Sequence, residues 1–176
     1  MLHLIKVFWD ICRLRAGPQD LPKEQYLLVA TILAGIIVDS FASSILMPNL
    51  SGLELVKIIT VYNIILLTVV YLLLRVVGYP FRGIQTLTAF AGAGVFIALV
   101  LLPGLLIINS AEEQARSFVF YILADTFWRI AVNSHIFRHA FSISLLLAMI
   151  LSVSYFIFGL FVADLLIPAQ NELSSQ

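Results

Sequence analysis

The stretch ARSFVFYILADTFWRIAVNSHIFRH, residues 115–139, decides how the chain folds. It is apolar enough to enter a bilayer, yet two opposite charges lie in its middle. At about 100° per residue, four side chains share one arc of about 100° on a helix: Tyr121, Asp125, Trp128 and Arg129. The rest of the circumference is apolar. The pattern therefore predicts a membrane-spanning helix with one polar face.

The two charges of this stretch can pair, because Asp125 and Arg129 are spaced i, i+4. Each charge near the centre of a membrane costs about 2.5–3.5 kcal/mol on insertion scales, so such residues normally face the bundle interior. One interpretation is an ion or proton path, or a polar cluster that docks a partner. The other is a structural ion pair that fixes helix packing.

Composition supports a membrane protein of one domain. The chain has 176 residues, of which 61% are hydrophobic and 11% charged, whereas soluble domains have about 25% charged residues. Ten basic and ten acidic residues balance, which argues against nucleic acid as a partner. Cys12 is the only cysteine, so no internal disulfide can form.

The N-terminal segment, residues 1–25, is predicted to be amphipathic. Four polar side chains lie within about 80° of a helical wheel: His3, Lys6, Asp10 and Arg13. Such a helix favours the membrane interface over a crossing, although its apolar side could equally pack on a partner subunit. Pro18 and Pro22 then break the helix.

The chain from residue 26 to residue 166 is predicted to be an all-α, five-helix transmembrane domain, with a short polar tail at 167–176. Each span approaches the roughly 20 residues that a ~30 Å hydrocarbon core requires. Pro168 is predicted to end the last helix. The spans are predicted at 26–47, 56–77, 84–108, 116–133 (or to 137) and 141–166.

Basic residues near the ends of the spans predict the orientation. Five crossings place seven basic residues on one side: Lys6, Arg13, Arg15, Lys23, Arg75, Arg82 and Arg138. Lys57 and Arg116 lie on the other side. The N-terminus is therefore predicted to be cytoplasmic and the C-terminus outside.

Asp39 in the first span is predicted to join the charges of the fourth. Counting about 1.5 Å per residue from the two surfaces places Asp39 and Asp125 at similar depths, near the middle of the membrane. A single ion pair with Arg129 can neutralise only one of the two carboxylates, Asp39 or Asp125. We expect Arg129 to bridge both carboxylates, or one carboxylate to be protonated through desolvation. Asp39, Asp125 and Arg129 form the predicted intramembrane polar cluster.

A second group, His135, Arg138 and His139, is predicted to form an interfacial basic loop that touches lipid phosphates. The i, i+4 histidines could also hold a metal or haem, but no third ligand is near in sequence. No catalytic or cofactor motif is evident. The chain is therefore predicted to be non-enzymatic, without a cofactor or a metal site.

Three stretches resemble a known family. They are FWDICRLRAGPQDLP (8–22), LLLRVVGYPFRGIQTLTAFAGAGVFIALVLLP (72–103) and WRIAVNSHIFRHAFSISLLLAMILSVS (128–154). Over residues 26–166 the chain is similar to the membrane domain of the Yip (Ypt-interacting protein) family and its bacterial relatives. The resemblance implies five spans, a basic residue and glycine between spans two and three, and no catalytic residues.

These observations lead to two hypotheses about function. The first is a scaffold or accessory subunit of a membrane assembly, whose partners are the bilayer and other membrane proteins or a second copy of the chain. The alternative is a small transporter or ion- or proton-coupled channel that uses Asp39, Asp125 and Arg129. A polar cavity joined to one surface would favour the alternative.

Overall fold

A computed structural model describes residues 2–109 and 114–173, and this part of the chain is helical without strands. The six α-helices are α1 Leu2–Cys12, α2 Gln25–Leu46, α3 Gly52–Val76, α4 Gly83–Asn109, α5 Gln114–Phe141 and α6 Leu145–Leu173. Two short 3-10 turns, Pro18–Asp20 and Pro80–Arg82, precede α2 and α4. The predicted all-α class is confirmed.

Local signals set the ends of α3. At its start, the Ser51 hydroxyl accepts from the Glu54 backbone N–H at 3.3 Å, and a Glu54 carboxylate oxygen accepts from the Ser51 N–H at 2.8 Å. This reciprocal pair satisfies two otherwise unbonded donors of the first turn. At the other end, Gly78 adopts φ 89°, a conformation that other residues rarely tolerate. The chain turns there and α4 follows.

Four helices have the length and apolar composition to cross a membrane: Gln25–Leu46, Gly52–Val76, Pro80–Ile107 and Leu145–Ile167. The predicted fourth span corresponds to α5, which is not among these four because of its polar residues. The chain is thus an all-helical protein with at least four candidate membrane spans. Residues 110–113 of the predicted acidic connection lie outside the described residues.

Five helices form a closed ring. Following contacts around it, α2 packs on α3, α3 on α6, α6 on α5, α5 on α4, and α4 back on α2. Helix α5 runs antiparallel to α4 along most of its length. Tyr121 packs near Gly104, Arg129 near Gly94 and Phe137 against Phe90. The polar face of α5 is therefore held inside the ring.

The outer surface of the ring is apolar. On α2, large side chains exposed to the surroundings recur every four residues, which is the pattern of one helix face: Val29, Leu33, Ile37 and Phe41. Similar faces occur on α5 (Phe120, Leu123, Phe127) and on α6 (Leu146, Ile150, Ile157, Phe161). An exposed apolar belt of this extent is consistent with an integral membrane protein.

Helix α1 packs against the outside of α4 and touches α5. Val7, Phe8, Ile11 and Cys12 are buried there, and the Phe8 ring lies where a side chain at Gly92 would otherwise be. The apolar face expected to meet lipid thus meets the protein's own bundle. Ile5 of the same helix is 53% exposed, so not every apolar side chain of α1 packs on the bundle. The position of α1 relative to a membrane surface remains a prediction.

The last helix differs from its predicted limits at both ends. Phe141 belongs to α5, and α6 begins at Leu145 after Ser142, whose φ of 54° reverses the chain. Leu147 donates its backbone N–H to the Ser144 hydroxyl at 3.4 Å, which caps the new helix. The prediction that Pro168 ends the helix was wrong, because α6 continues to Leu173. Residues 174–176 of the predicted tail lie outside the described residues.

Candidate functional site

The ring of helices encloses a central cavity of about 470 Å³ that is partly open. Its polar lining comes from four helices: Thr31, Asp39 and Ser43 on α2, Tyr62 and Asn63 on α3, Tyr121, Asp125, Arg129 and Asn133 on α5, and Tyr155 on α6. The lining reaches Leu46 at the end of α2 and Leu55 at the start of α3. We name this the open end of the bundle, and the opposite end, with Arg82 and Arg138, the basic end.

The predicted ion pair is present within α5. Arg129 donates its Nε–H to both carboxylate oxygens of Asp125, at 2.8 and 2.9 Å. The side chains are 33% and 27% accessible, respectively. Both side chains line the cavity. The Nη1 atom of Arg129 lies near Gly94 on α4, where a Cβ would be 3.9 Å away.

Asp39 lies on the opposite wall of the same cavity. It is close enough to Arg129 and Asp125 to interact with both charges, and Asn63 of α3 lies beside it. Among the described residues, the one ion pair within 4.0 Å is that of Arg129 with Asp125. The structure therefore brings the three predicted residues together, and Arg129 does not bridge both carboxylates as one alternative expected.

Tyrosines complete the walls where glycines leave room. The Tyr62 hydroxyl packs on Gly159 of α6, 2.9 Å from where a Cβ would be, and Tyr121 packs at 3.6 Å from the same position at Gly104. Hydroxyl groups of this kind both donate and accept hydrogen bonds. They add neutral polar groups to a site that already holds three charges.

An aromatic cluster closes the cavity toward the basic end. The ring centroid of Phe90 is 4.9 Å from that of Phe137 and 5.5 Å from that of Tyr155, and the last two are 5.6 Å apart. Their tilted and edge-on arrangement is the favourable geometry for aromatic pairs. The cavity thus has mainly apolar walls that carry a cluster of polar side chains, and an aromatic floor.

Around and below this floor, side chains donate hydrogen bonds to backbone carbonyls of distant segments. Gln85 donates to Gln19 O at 3.2 Å and to Leu21 O, and Trp128 Nε1 donates to Cys12 O at 3.0 Å. Arg82 Nη1 donates to His139 O and Ala140 O at 3.1 and 3.0 Å. These bonds satisfy carbonyls that helices and turns leave free.

The three residues of the predicted basic loop lie instead in the last two turns of α5. Helix continues through them because the chain reverses later, at Ser142. His135 Nε2 lies 2.9 Å from Ala16 O, so it carries the proton of that hydrogen bond. The ring centroids of His135 and His139 are 4.5 Å apart, while Arg138 is exposed. Across the described residues, no group of three metal-ligating side chains occurs.

Cys12 is buried between α1 and α4, where its Sγ lies 3.8 Å from Ala93 O. Burial raises the pKa of the thiol to about 12 from its ordinary 9.0, and the positive charge of Arg129 opposes this only partly. The thiol is therefore neutral and unreactive while α1 is docked.

Several residues of the site escaped the sequence analysis. Phe90, Phe137 and Tyr155 were part of continuous apolar runs, and no spacing distinguished a cavity floor from ordinary packing. Gly92 also lies within an apolar run, and no sequence signal indicated that α1 packs against it. Comparisons with family models, with curated proteins and with solved structures gave no match for this chain.

Proposed function

We propose that this chain is a small transporter or ion- or proton-coupled channel that passes a proton or a small cation through the central cavity. The observation that carries the proposal is the partly open cavity, largely apolar in its lining, in which the polar side chains of Asp39, Asp125 and Arg129 meet. An intramembrane ionisable residue that faces a cavity, and not a packed helix contact, is characteristic of an ion or proton pathway.

The charges of the cavity favour a cation. Arg129 and Asp125 neutralise each other through the ion pair. Asp39 then gives the cavity a net negative charge when it is ionised. A proton or a small cation would neutralise Asp39, with the oxygens of Tyr62, Tyr121 and Asn63 available to replace hydration. In this proposal Asp39 binds the cation, and Arg129 keeps Asp125 from competing for it.

We propose that α5 is the fifth membrane span. Its charges face the cavity, so inserting it would not expose them to lipid, and its outward face carries Phe120, Leu123 and Phe127. Its antiparallel packing between α4 and α6 also supports a crossing. Mean hydropathy averages over all faces of a helix. The polar face of α5 therefore lowers its mean hydropathy, although its outward face is apolar.

The proposed orientation has the basic end and the N-terminus in the cytoplasm of a bacterial cell, with the protein in the inner membrane. Its support is the seven-to-two distribution of basic residues. The cavity would then open outward. Reporter fusions after Asn109 and at Gln176 should both report the outer side. Opposite sides would contradict a crossing by α5.

Membership of the Yip family and a scaffold role stay predictions. The exposed apolar faces that would favour a scaffold are also what a lipid-facing surface presents, so they do not separate the two functions. Purification from native membranes with a mild crosslinker would test this role. A partner protein recovered in a fixed ratio would support a scaffold.

The transport proposal is tested in proteoliposomes that contain a pH-sensitive dye, with a potassium gradient and valinomycin to set the potential. Proton entry is measured first, and sodium entry is measured separately with a sodium-sensitive dye. Wild-type flux should exceed that of protein-free vesicles, and Asp39→Asn should return it to that level. Glu24→Gln, at an exposed acid outside the cavity, is the control. Wild-type flux at background for every cation would contradict the proposal.

A further inference from the structure

A second cavity, of about 370 Å³, lies at the basic end. It forms where three segments meet: the linker before α2, the turn that starts α4, and the turn after α5. Its lining is Pro18, Gln19, Lys23, Phe81, Arg82, Gln85, Thr86, His139, Ala140 and Ser142. It is separate from the central cavity, on the other side of the aromatic floor. We name it the basic pocket.

The charge of the basic pocket has one sign. Lys23, Arg82 and His139 line it, and none of its lining residues is acidic. Lys23 is exposed, so its ammonium can move toward a bound group, whereas Arg82 and His139 are half-buried. Two cations, Lys23 and Arg82, and one imidazole, from three different segments, therefore face one space that no carboxylate lines.

Arg82 is fixed in position for a ligand. Its Nη1 donates to His139 O, Ala140 O and, at 2.8 Å, to Ser142 Oγ. Its guanidinium also lies over the Tyr79 ring, with Cζ 4.7 Å from the centroid. Guanidinium has five N–H donors, and within the described part of the chain Nε and Nη2 have no hydrogen-bond acceptor. A rigid guanidinium with free donors suits an oxyanion.

An unsatisfied hydroxyl supports a ligand independently of charge. Thr86 lies one turn after Arg82 in the pocket wall, and its side chain is fully buried. Its Oγ1 has no hydrogen-bond partner in the described structure. A buried polar atom without a partner is costly, by about 1–3 kcal/mol. Thr88, two residues on, makes the ordinary bond to Ile84 O at 2.7 Å. Ser40 Oγ is the other buried hydroxyl without a partner in the described structure, and of the two only Thr86 lines this pocket.

We propose that the basic pocket binds a phosphate group, as a phosphomonoester or phosphodiester. Arg82 would donate to two phosphate oxygens, Lys23 would add charge from the rim, and Thr86 would complete the contacts. The source is either an anionic lipid headgroup, which the location at the end of the bundle favours, or free phosphate. This site goes beyond the transport proposal, because it shares no residue with the central cavity.

The proposal is tested by binding measurements on the detergent-purified full chain. The probes are inorganic phosphate, dioctanoyl phosphatidylglycerol and, as the phosphate-free reference, dioctanoylglycerol. We expect Lys23→Gln to weaken binding of the phosphate-containing probe roughly five- to tenfold. Thr86→Val, which keeps the shape but removes the hydroxyl, should weaken it as well. Lys57→Gln, at a lysine on the opposite end, is the matched control and should bind as wild type.

The outcomes separate the sources. Saturable binding of inorganic phosphate identifies a free-phosphate site, and binding of phosphatidylglycerol alone identifies a headgroup site. Equal binding of dioctanoylglycerol, binding of neither phosphate probe, or equal weakening by Lys57→Gln would overturn the proposal. If Thr86→Val unfolds at lower temperature than wild type, Lys23→Gln decides, because Lys23 is exposed.

Discussion

The two ends of the bundle treat their polar groups in opposite ways. At the basic end, Gln85 and Arg82 each donate to backbone carbonyls of segments more than 50 residues away in sequence. At the open end, Asp39 and Tyr121 line the central cavity. The same helices, α4 and α5, contribute to both ends. The difference therefore comes from side chains and not from the fold.

This contrast has an energetic meaning. A satisfied polar group holds two segments together, whereas a polar group that faces a cavity leaves part of its bonding capacity for water, an ion or a solute. The basic end is therefore expected to be the rigid base of the molecule. The open end is expected to tolerate neutral substitutions in its lining but not an unpaired charge.

The largest effect is expected for Arg129→Ala, which leaves two carboxylates in one cavity without a cation. Removing one partner of a buried pair costs about 3–5 kcal/mol, and the lower end of this range is expected here because the pair is only partly buried. Asp125→Asn should cost less, because Arg129 can then turn to Asp39. Thermal unfolding in detergent measures both. Arg138→Ala, at an exposed residue of the same helix, is the control, and a harmless Arg129→Ala would show that the charges are not coupled.

The second-largest effect is expected for Phe8→Ala, which tests whether α1 is firmly packed against the bundle. Phe8→Ala removes the ring that packs at Gly92 and should weaken docking by about 3 kcal/mol. Undocking exposes Cys12 and returns its pKa from about 12 toward 9.0, so more thiolate is present at pH 8. Maleimide labelling should accelerate at least a hundredfold. Ile5→Ala, at an exposed position, should leave the labelling rate unchanged.

A smaller effect is expected for Gln85→Met, which keeps the length of the side chain but leaves Gln19 O and Leu21 O without their donor. The loss should be about 2 kcal/mol. Hydrogen exchange of the linker before α2 would report it as local opening. Gln25→Met, at an exposed glutamine, is the matched control. Unchanged exchange would mean that the linker is held by packing alone.

The smallest effect is expected for Trp128→Phe, which keeps most of the aromatic contact and loses the bond to Cys12 O. About 1 kcal/mol is expected, or roughly a fivefold increase in Cys12 labelling. Trp9→Phe, at a tryptophan that is 37% exposed, provides the comparison. Equal effects of the two substitutions would remove the hydrogen bond as a link between α1 and α5.

The helices were predictable because apolar runs and turn residues are local signals. The limits of α2 and α3 came within a few residues of the structure, and depth counting placed Asp39 opposite Asp125. The sequence could not show that Arg129 pairs with Asp125 alone. That choice depends on side-chain rotamers and on the space beside Gly94. The aromatic floor also depends on which apolar residues face inward, and apolar periodicity is weak in helices buried on several sides.

The docking of α1 was missed for a different physical reason. An amphipathic helix has the same pattern whether its apolar face meets lipid, a partner or its own bundle. Only a shape match decides between these, and that match joins Phe8 to Gly92 across more than 80 residues of sequence. The basic pocket likewise depends on three segments that are far apart in sequence.

The contact of Phe8 with Gly92 has an evolutionary consequence. A side chain at position 92 would occupy the space of the Phe8 ring, so the two positions cannot enlarge independently. Among homologous chains, a larger residue at position 92 should occur with a smaller one at position 8. The residues at positions 8 and 92 would then indicate, from sequence alone, in which relatives the first helix packs against the bundle.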